Sequence, residues 1–186
     1  MTVMVCRIMS RLAWRSALPM VMVLALGAFA EGTKSAKLKV LVICTGNSAR
    51  SQMTAGFLKS WDTRLDIYSA GTAPAPRINP YAVRAMKEVG IDISSGSPKN
   101  VRQFLGESFD YVITVCDEAD RDCPNFTGKV AKRVHIPFPD PAKATGTDDQ
   151  IMGVFRNVRN DIQAKFTTNT NSRNTFEPTL VGNNKI

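Results

Sequence analysis

A cysteine and an arginine with five residues between them, in Cys44-Thr45-Gly46-Asn47-Ser48-Ala49-Arg50-Ser51, carry the most specific chemistry in the chain. The run follows the apolar, β-branched Leu38-Lys39-Val40-Leu41-Val42-Ile43, which reads as a buried strand, and precedes Gln52 to Lys59, which reads as a helix. A thiol at such a strand-to-helix turn faces unpaired backbone N–H groups and the positive end of the helix dipole. Cysteines so placed have pKa values lowered from about 8.5 to roughly 3.5–7.5, so Cys44 is expected to be a thiolate nucleophile near neutral pH. Gly46 permits a tight bend, the successive N–H groups of a nest grip a tetrahedral oxyanion, and a planar guanidinium takes two of its oxygens. Thr45, Gly46, Asn47, Ser48, Ala49, Arg50 and Ser51 are therefore the expected substrate-binding residues, with Ser51 a donor to the sulfur. A buried structural cysteine beside a surface arginine is the plainer alternative.

Cys116 and Cys123 come next. Cys116 follows Asp110-Tyr111-Val112-Ile113-Thr114-Val115, another strand by pattern. Parallel strands deliver their C-terminal ends to one edge of the sheet, where ligands bind in such folds, and this brings Cys116 toward Cys44. A helical turn over residues 117–123 would put the two later cysteines on one face, about 10 Å apart along the axis. A disulfide needs Cα atoms within about 7 Å, so joining them requires the segment to unwind. A buried apolar pair, a static disulfide or metal ligands are the other readings. Zinc has little support: there is no CxxC, and His135 is the single histidine, read as a packed strand residue. No metal site is expected. Asp140, extended by the following Pro141 and in a loop leaving a strand at the same sheet edge, is the candidate general acid.

These side chains need a scaffold, and the patterning supplies one. Strands are expected at 38–43, 66–71, 110–115 and 133–136. Helices are expected after Ser51, with Met53, Phe57 and Trp61 as core residues, and from Asn79-Pro80, with Ala82, Val83, Met86 and Val89 as the buried stripe and Gly90 as the stop. Ser97-Pro98 predicts a further helix through Val101, Phe104 and Leu105. Thr147-Asp148-Asp149-Gln150 is a capping box opening the last helix, whose apolar face is Ile151, Phe155, Val158, Ile162 and Phe166. Alternating strands and helices imply an α/β fold, a single domain whose parallel sheet has helices on both faces.

The quoted loop resembles that of the low-molecular-weight tyrosine phosphatase superfamily, and VLVICTGNSARSQM is especially similar to its thioredoxin-coupled arsenate reductase branch. The resemblance covers about residues 37–167 and implies a four-stranded parallel sheet. It also implies a relay. Cys44 attacks arsenate, Cys116 attacks Cys44 to release arsenite and leave a disulfide, and Cys123 attacks Cys116; a dithiol such as thioredoxin then reduces the Cys116–Cys123 pair. The resemblance thus implies arsenate as substrate, phosphate as a competing anion, an external dithiol reductant instead of a bound cofactor, and a monomer. Two departures matter. Superfamily phosphatases place an aromatic after the Asp-Pro pair where this chain has Ala142-Lys143, and the helix glutamate that holds a monovalent cation in some relatives is matched by Ala55, although Asn47 and Ser69 resemble its other members. A phosphotyrosine phosphatase, and an exported oxyanion-binding or redox-sensing module without turnover, are the alternative functions.

The 186 residues, 44% hydrophobic and 22% charged, suit one domain. Of the formal charge of +8, Arg7, Arg11 and Arg15 sit in an acid-free first thirty residues, and without them 21 basic residues face 16 acidic ones. That balance suits anionic substrates. The basic residues are dispersed without interleaved aromatics, so nucleic-acid binding is not expected. Residues 1–30, with an apolar run from Ala17 to Gly27 and Ala28-Phe29-Ala30 before Glu31, read as an export signal, too short to span a bilayer comfortably. The expected organisation is a signal at 1–30, a linker at 31–37, the domain at 38–167 and a disordered tail at 168–186. Export, to the periplasm, follows if the signal is used; a misassigned start would leave the protein cytoplasmic.

Overall fold

The computed structural model describes residues 36–167. The expectations for the 1–30 signal, most of the linker and the 168–186 tail lie outside the described residues. Four strands, β1 (Leu38–Cys44), β2 (Leu65–Gly71), β3 (Phe109–Thr114) and β4 (Val130–His135), form one sheet of order β2-β1-β3-β4. Every pairing is parallel. Between and after them come the helices α1 (Arg50–Trp61), α2 (Pro80–Lys87), α3 (Asp117–Arg121) and α4 (Asp148–Phe166), with 3₁₀ turns at Val101–Phe104 and Pro141–Lys143.

β1 is central, and its Val40, Leu41, Val42 and Ile43 are fully buried, which is why the strand reads as a continuous apolar run rather than an alternating one. At the edge, β4 buries only Val134 and Ile136 just beyond its end, while Lys132 and Arg133 are exposed. Charge on an edge strand discourages pairing with another chain. The register sets Cys44 beside Gly71, Ile43 beside Thr114, and Thr114 beside His135. The C-terminal ends of β1, β3 and β4 are therefore level, and the chain segments that leave them meet at one edge.

The helix starts follow local chemistry. Asn79 caps α2 by accepting from the Tyr81 N–H at 2.9 Å, ahead of Pro80. Thr147 and Gln150 cap α4 reciprocally, at 3.3 and 2.8 Å. α1 and α3 begin without a side-chain cap, at Ala49 and Cys116. α1 packs against β1, β2, α2 and α4.

Three expectations are corrected. No helix begins at Ser97-Pro98: the Gly71 N–H donates to the Lys99 carbonyl at 2.8 Å and Gly71 bridges Asn100, so the chain stays extended there and only a 3₁₀ turn capped by Asn100 follows. Val89 is exposed because α2 ends at Lys87, and Ala85 takes its place in the buried stripe. Trp61, the last residue of α1, stacks on Phe57 at 4.9 Å but leaves 37% of its surface in solvent, so it caps the core instead of filling it.

α2 and α4 are tied by charge. Glu88 accepts from Arg156 at 2.7 Å and from Arg159 at 2.9 Å, and Arg159 also donates to the Ala85 carbonyl at 2.8 Å. The two guanidinium groups hold the Glu88 carboxyl at about 2, below its ordinary 4.5. A depressed carboxyl contributes stability that is present above its unfolded value and lost as pH falls through its folded one. Urea midpoints of the protein should therefore drop between pH 4.5 and about 2, and Glu88→Gln should flatten that part of the profile; an unchanged slope in the variant would show that the pair does not couple the helices.

Candidate active site

The loop between β1 and α1 is held from outside by its carbonyls. Those of Cys44, Thr45, Gly46 and Ser48 accept from the N–H groups of Thr72, Ala73, Ala75 and Asn79, at 3.2, 3.0, 2.8 and 2.9 Å. In a trans peptide the next N–H points opposite to the carbonyl. The N–H groups of Thr45, Gly46, Asn47 and Ala49 are accordingly turned inward, and one of them is seen to arrive: Asn47 N–H meets Cys44 Sγ at 3.1 Å. The left-handed residue of the loop is Asn47, with φ of 47°. Its side chain stabilises that conformation, since Oδ1 accepts from the Lys99 N–H at 2.8 Å and Nδ2 donates to Ser51 Oγ at 2.9 Å. At Gly71, paired with Cys44, a Cβ would collide with the Thr45 carbonyl.

Ser51 Oγ lies 2.9 Å from Cys44 Sγ. Because that oxygen already accepts from Asn47, its own hydrogen is free for the sulfur. Cys44 is only 2% exposed. Burial pushes its thiol above its ordinary value, against the hydrogen bonds from Ser51 and Asn47, which pull it down. Desolvation of the charged form thus works against the loop's donors, which favour the thiolate expected from the sequence.

Arg50 is also buried, and its guanidinium is engaged across the sheet edge. Nη1 donates to the Phe138 carbonyl at 3.1 Å, and Nη2 pairs with Asp140 Oδ2 at 3.2 Å. The other Asp140 oxygen accepts from the Ala142 N–H at 3.2 Å, opening the 3₁₀ turn. The clamp and the acid expected from the sequence thus form an ion pair.

Cys116 Sγ lies 3.4 Å from Thr45 Oγ1, against the loop and next to the candidate nucleophile. It is buried and forms the N-cap of α3, while Cys123, two residues past the end of that helix, is half-buried. All three cysteines of the described residues are free thiols. Burial raises the Cys123 thiol above its ordinary value, and Arg133 opposes that by charge and hydrogen bond. His135 is exposed, not packed, and bridges Thr114 and Asp117 at 2.9 and 3.0 Å. The loop-bracing segment Thr72–Asn79, the Phe138 carbonyl and the Lys99 N–H act through backbone groups, which residue types do not reveal. At the position where the resemblance would place a cation-holding glutamate, Ala55 brings no side-chain oxygen, and Asn47 Oδ1 accepts from the Lys99 N–H.

Fold and loop together define an α/β protein with a cysteine inside a ring of backbone donors, at the C-terminal edge of a parallel sheet. The chain belongs to the low molecular weight phosphotyrosine protein phosphatase family, whose model matches residues 39–168. It is 45% identical over 133 residues to an arsenate reductase of Halalkalibacterium halodurans, covering 71% of this chain and 94% of that one. An arsenate reductase of Bacillus subtilis is 42% identical over 124 residues, 66% and 88% of the two chains. A solved arsenate reductase in a phosphate-binding state matches with a TM-score of 0.58 and 31% identity, over 68% of this chain and 92% of that one. The resemblance carried by residues 40–53 is borne out by these relatives.

The balance at Cys44 can be measured. In a chain with Cys6, Cys116 and Cys123 replaced by serine, iodoacetamide alkylation of Cys44 should still be rising with pH beyond the ordinary thiol range. Ser51→Ala should move the profile higher still, since it removes a bond that favours the thiolate. A plateau at or below neutral pH would show that burial does not dominate.

Proposed function

We propose that the protein reduces arsenate to arsenite through Cys44, Cys116 and Cys123, with a thioredoxin-like dithiol as the final electron donor. The observation that carries this reading is the approach of Cys116 to Thr45 in the anion loop, with Cys123 following on a short helix. Hydrolysis alone needs neither thiol. The relatives named arsenate reductases support the same substrate.

In the proposed cycle the arriving oxyanion is held by the inward N–H groups and draws Arg50 from Asp140. The proton leaving Cys44 passes to the freed carboxylate as the sulfur attacks arsenic, and Asp140 returns it to the departing oxygen, which leaves as water. Cys116 then attacks Cys44 Sγ. The S–S bond forms as the S–As bond breaks, and the electron pair stays on arsenic, which departs as arsenite. Cys123 displaces Cys44 from Cys116 with no net change in electrons, and the external dithiol reduces the resulting pair.

The family model favours a second reading, a phosphotyrosine phosphatase. Against it, the residues after Asp140-Pro141 are Ala142 and Lys143, both exposed, and offer no ring to grip tyrosine. A third reading, an oxyanion binder, has no use for a positioned acid.

Arsenate reduction with thioredoxin and its reductase should fall to background in Cys116→Ser and in Cys123→Ser; persistence in either would sink the relay. A phosphatase would instead hydrolyse phosphate esters at full rate without Cys123 and reduce no arsenate. A binder would turn over neither and keep its anion affinity in Asp140→Ala. We also propose that residues 1–30 direct export. N-terminal sequencing of the mature protein should then start at Glu31, and an intact Met1 would contradict it. An exported enzyme would draw electrons from a dithiol protein on that side of the membrane.

A further inference from the structure

The segment between Cys116 and Cys123 is held in place by remarkably little of its own. α3 has five residues and buries only Ala119. Its backbone bonds include Asp120 N–H to the Cys116 carbonyl at 3.1 Å and Asp122 N–H to the Glu118 carbonyl at 2.9 Å. A helix so short is not self-sustaining in water. What ties it to the sheet is a polar cluster at the ends of β3 and β4. His135 Nε2 meets Asp117 Oδ1 at 3.0 Å, and His135 Nδ1 meets Thr114 Oγ1 at 2.9 Å. Thr114 donates to Asp120 Oδ1 at 2.7 Å, and that oxygen lies 3.6 Å from His135 Nδ1. One ring thus touches both ends of the helix and the strand beneath it.

Folded, the segment leaves the two thiols unjoined: both are free, and the five-residue helix between them is by itself about 7.5 Å long, against the roughly 7 Å between Cα atoms that a disulfide tolerates. Cys116 is fixed by its strand and by Thr45, so the moving partner is Cys123. It lines a cavity of about 120 Å³ together with Thr114, Asp120, Arg133 and His135. The bonds that keep α3 folded therefore oppose the union of Cys116 and Cys123.

We infer that His135 is a positioning residue of the relay: its bridge from Thr114 to Asp117 latches α3 in the folded form, and release of that latch sets how fast Cys123 reaches Cys116. This inference rests on the relay reading above. It gives the lone histidine a task in the redox segment, outside the anion loop, and it explains why a fragile helix stays formed while Cys44 and Cys116 complete the earlier step.

The test isolates the latch from arsenate. In a Cys6→Ser, Cys44→Ser chain the remaining thiols are Cys116 and Cys123. Diamide, an azo oxidant, takes two electrons and two protons from them, becoming a hydrazine as the disulfide forms, and the rate is followed by quenching with a mass-tagged maleimide. Adding His135→Ala should accelerate closure by about fivefold, the worth of a lost hydrogen bond. Asp117→Asn should speed it too, and the double variant should gain less than the sum because both changes break one contact. His135→Gln, whose amide nitrogen keeps a donor for the Asp117 carboxylate, should bring the rate back toward the slow one. Equal rates with and without His135, or an acceleration that glutamine fails to reverse, would overturn the latch. The relay reading fails by a different measurement: arsenate added to the full protein would then produce no Cys116–Cys123 disulfide.

Discussion

Burying a sulfur that has to take up negative charge is the constraint on which the rest of this structure turns. Cys44 ends the most buried strand of the sheet, and desolvation there favours the neutral thiol. The loop answers with donors. Ser51 and Asn47 converge on the sulfur, and the side-chain amide of Asn47 is itself fixed by Ser51 and Lys99. Arg50 and Asp140 neutralise one another at the same edge, which lets a buried guanidinium persist. A buried sulfur with donors aimed at it, a paired arginine and inward N–H groups thus share one sheet edge.

That arrangement depends on how closely the loop is pressed against its neighbours. The carbonyls of the loop are taken by Thr72, Ala73, Ala75 and Asn79, and this is what frees the opposite faces of its peptides. β2 has to end close against Thr45 for the Thr72–Asn79 segment to reach, and the absence of a side chain at Gly71 permits it. A proline-rich stretch that looks like a mere connection is thus the outer wall of the anion loop.

The two later cysteines differ in mechanical terms. Cys116 is anchored, sitting between a buried strand and the loop. Cys123 follows a helix with one buried residue, held by polar contacts to β3 and β4. Segments with few buried apolar contacts open at low free energy. A stable site and a labile neighbour are what the proposed sequence of disulfides requires, since the first exchange happens at the loop and the second demands movement.

Much of this was legible before any fold was known. The parallel sheet, the loop, the caps at Asn79 and Thr147, and the candidacy of Cys44, Arg50, Cys116, Cys123 and Asp140 all come from local patterns, because apolar period, cap chemistry and strand-to-helix turns are written in neighbouring residues. Four things depended on distant partners. Ser97-Pro98 stays extended because Gly71 pairs with the residues after it; the left-handed position falls on Asn47 because Ser51 and Lys99 hold its side chain; Arg50 is paired to Asp140; and His135 meets α3 instead of the core. The burial of Cys44 belongs with them. Residue type and spacing supply the donors around a sulfur, but how far water is excluded from it is a property of the whole packed edge, and that exclusion opposes the charge the donors favour.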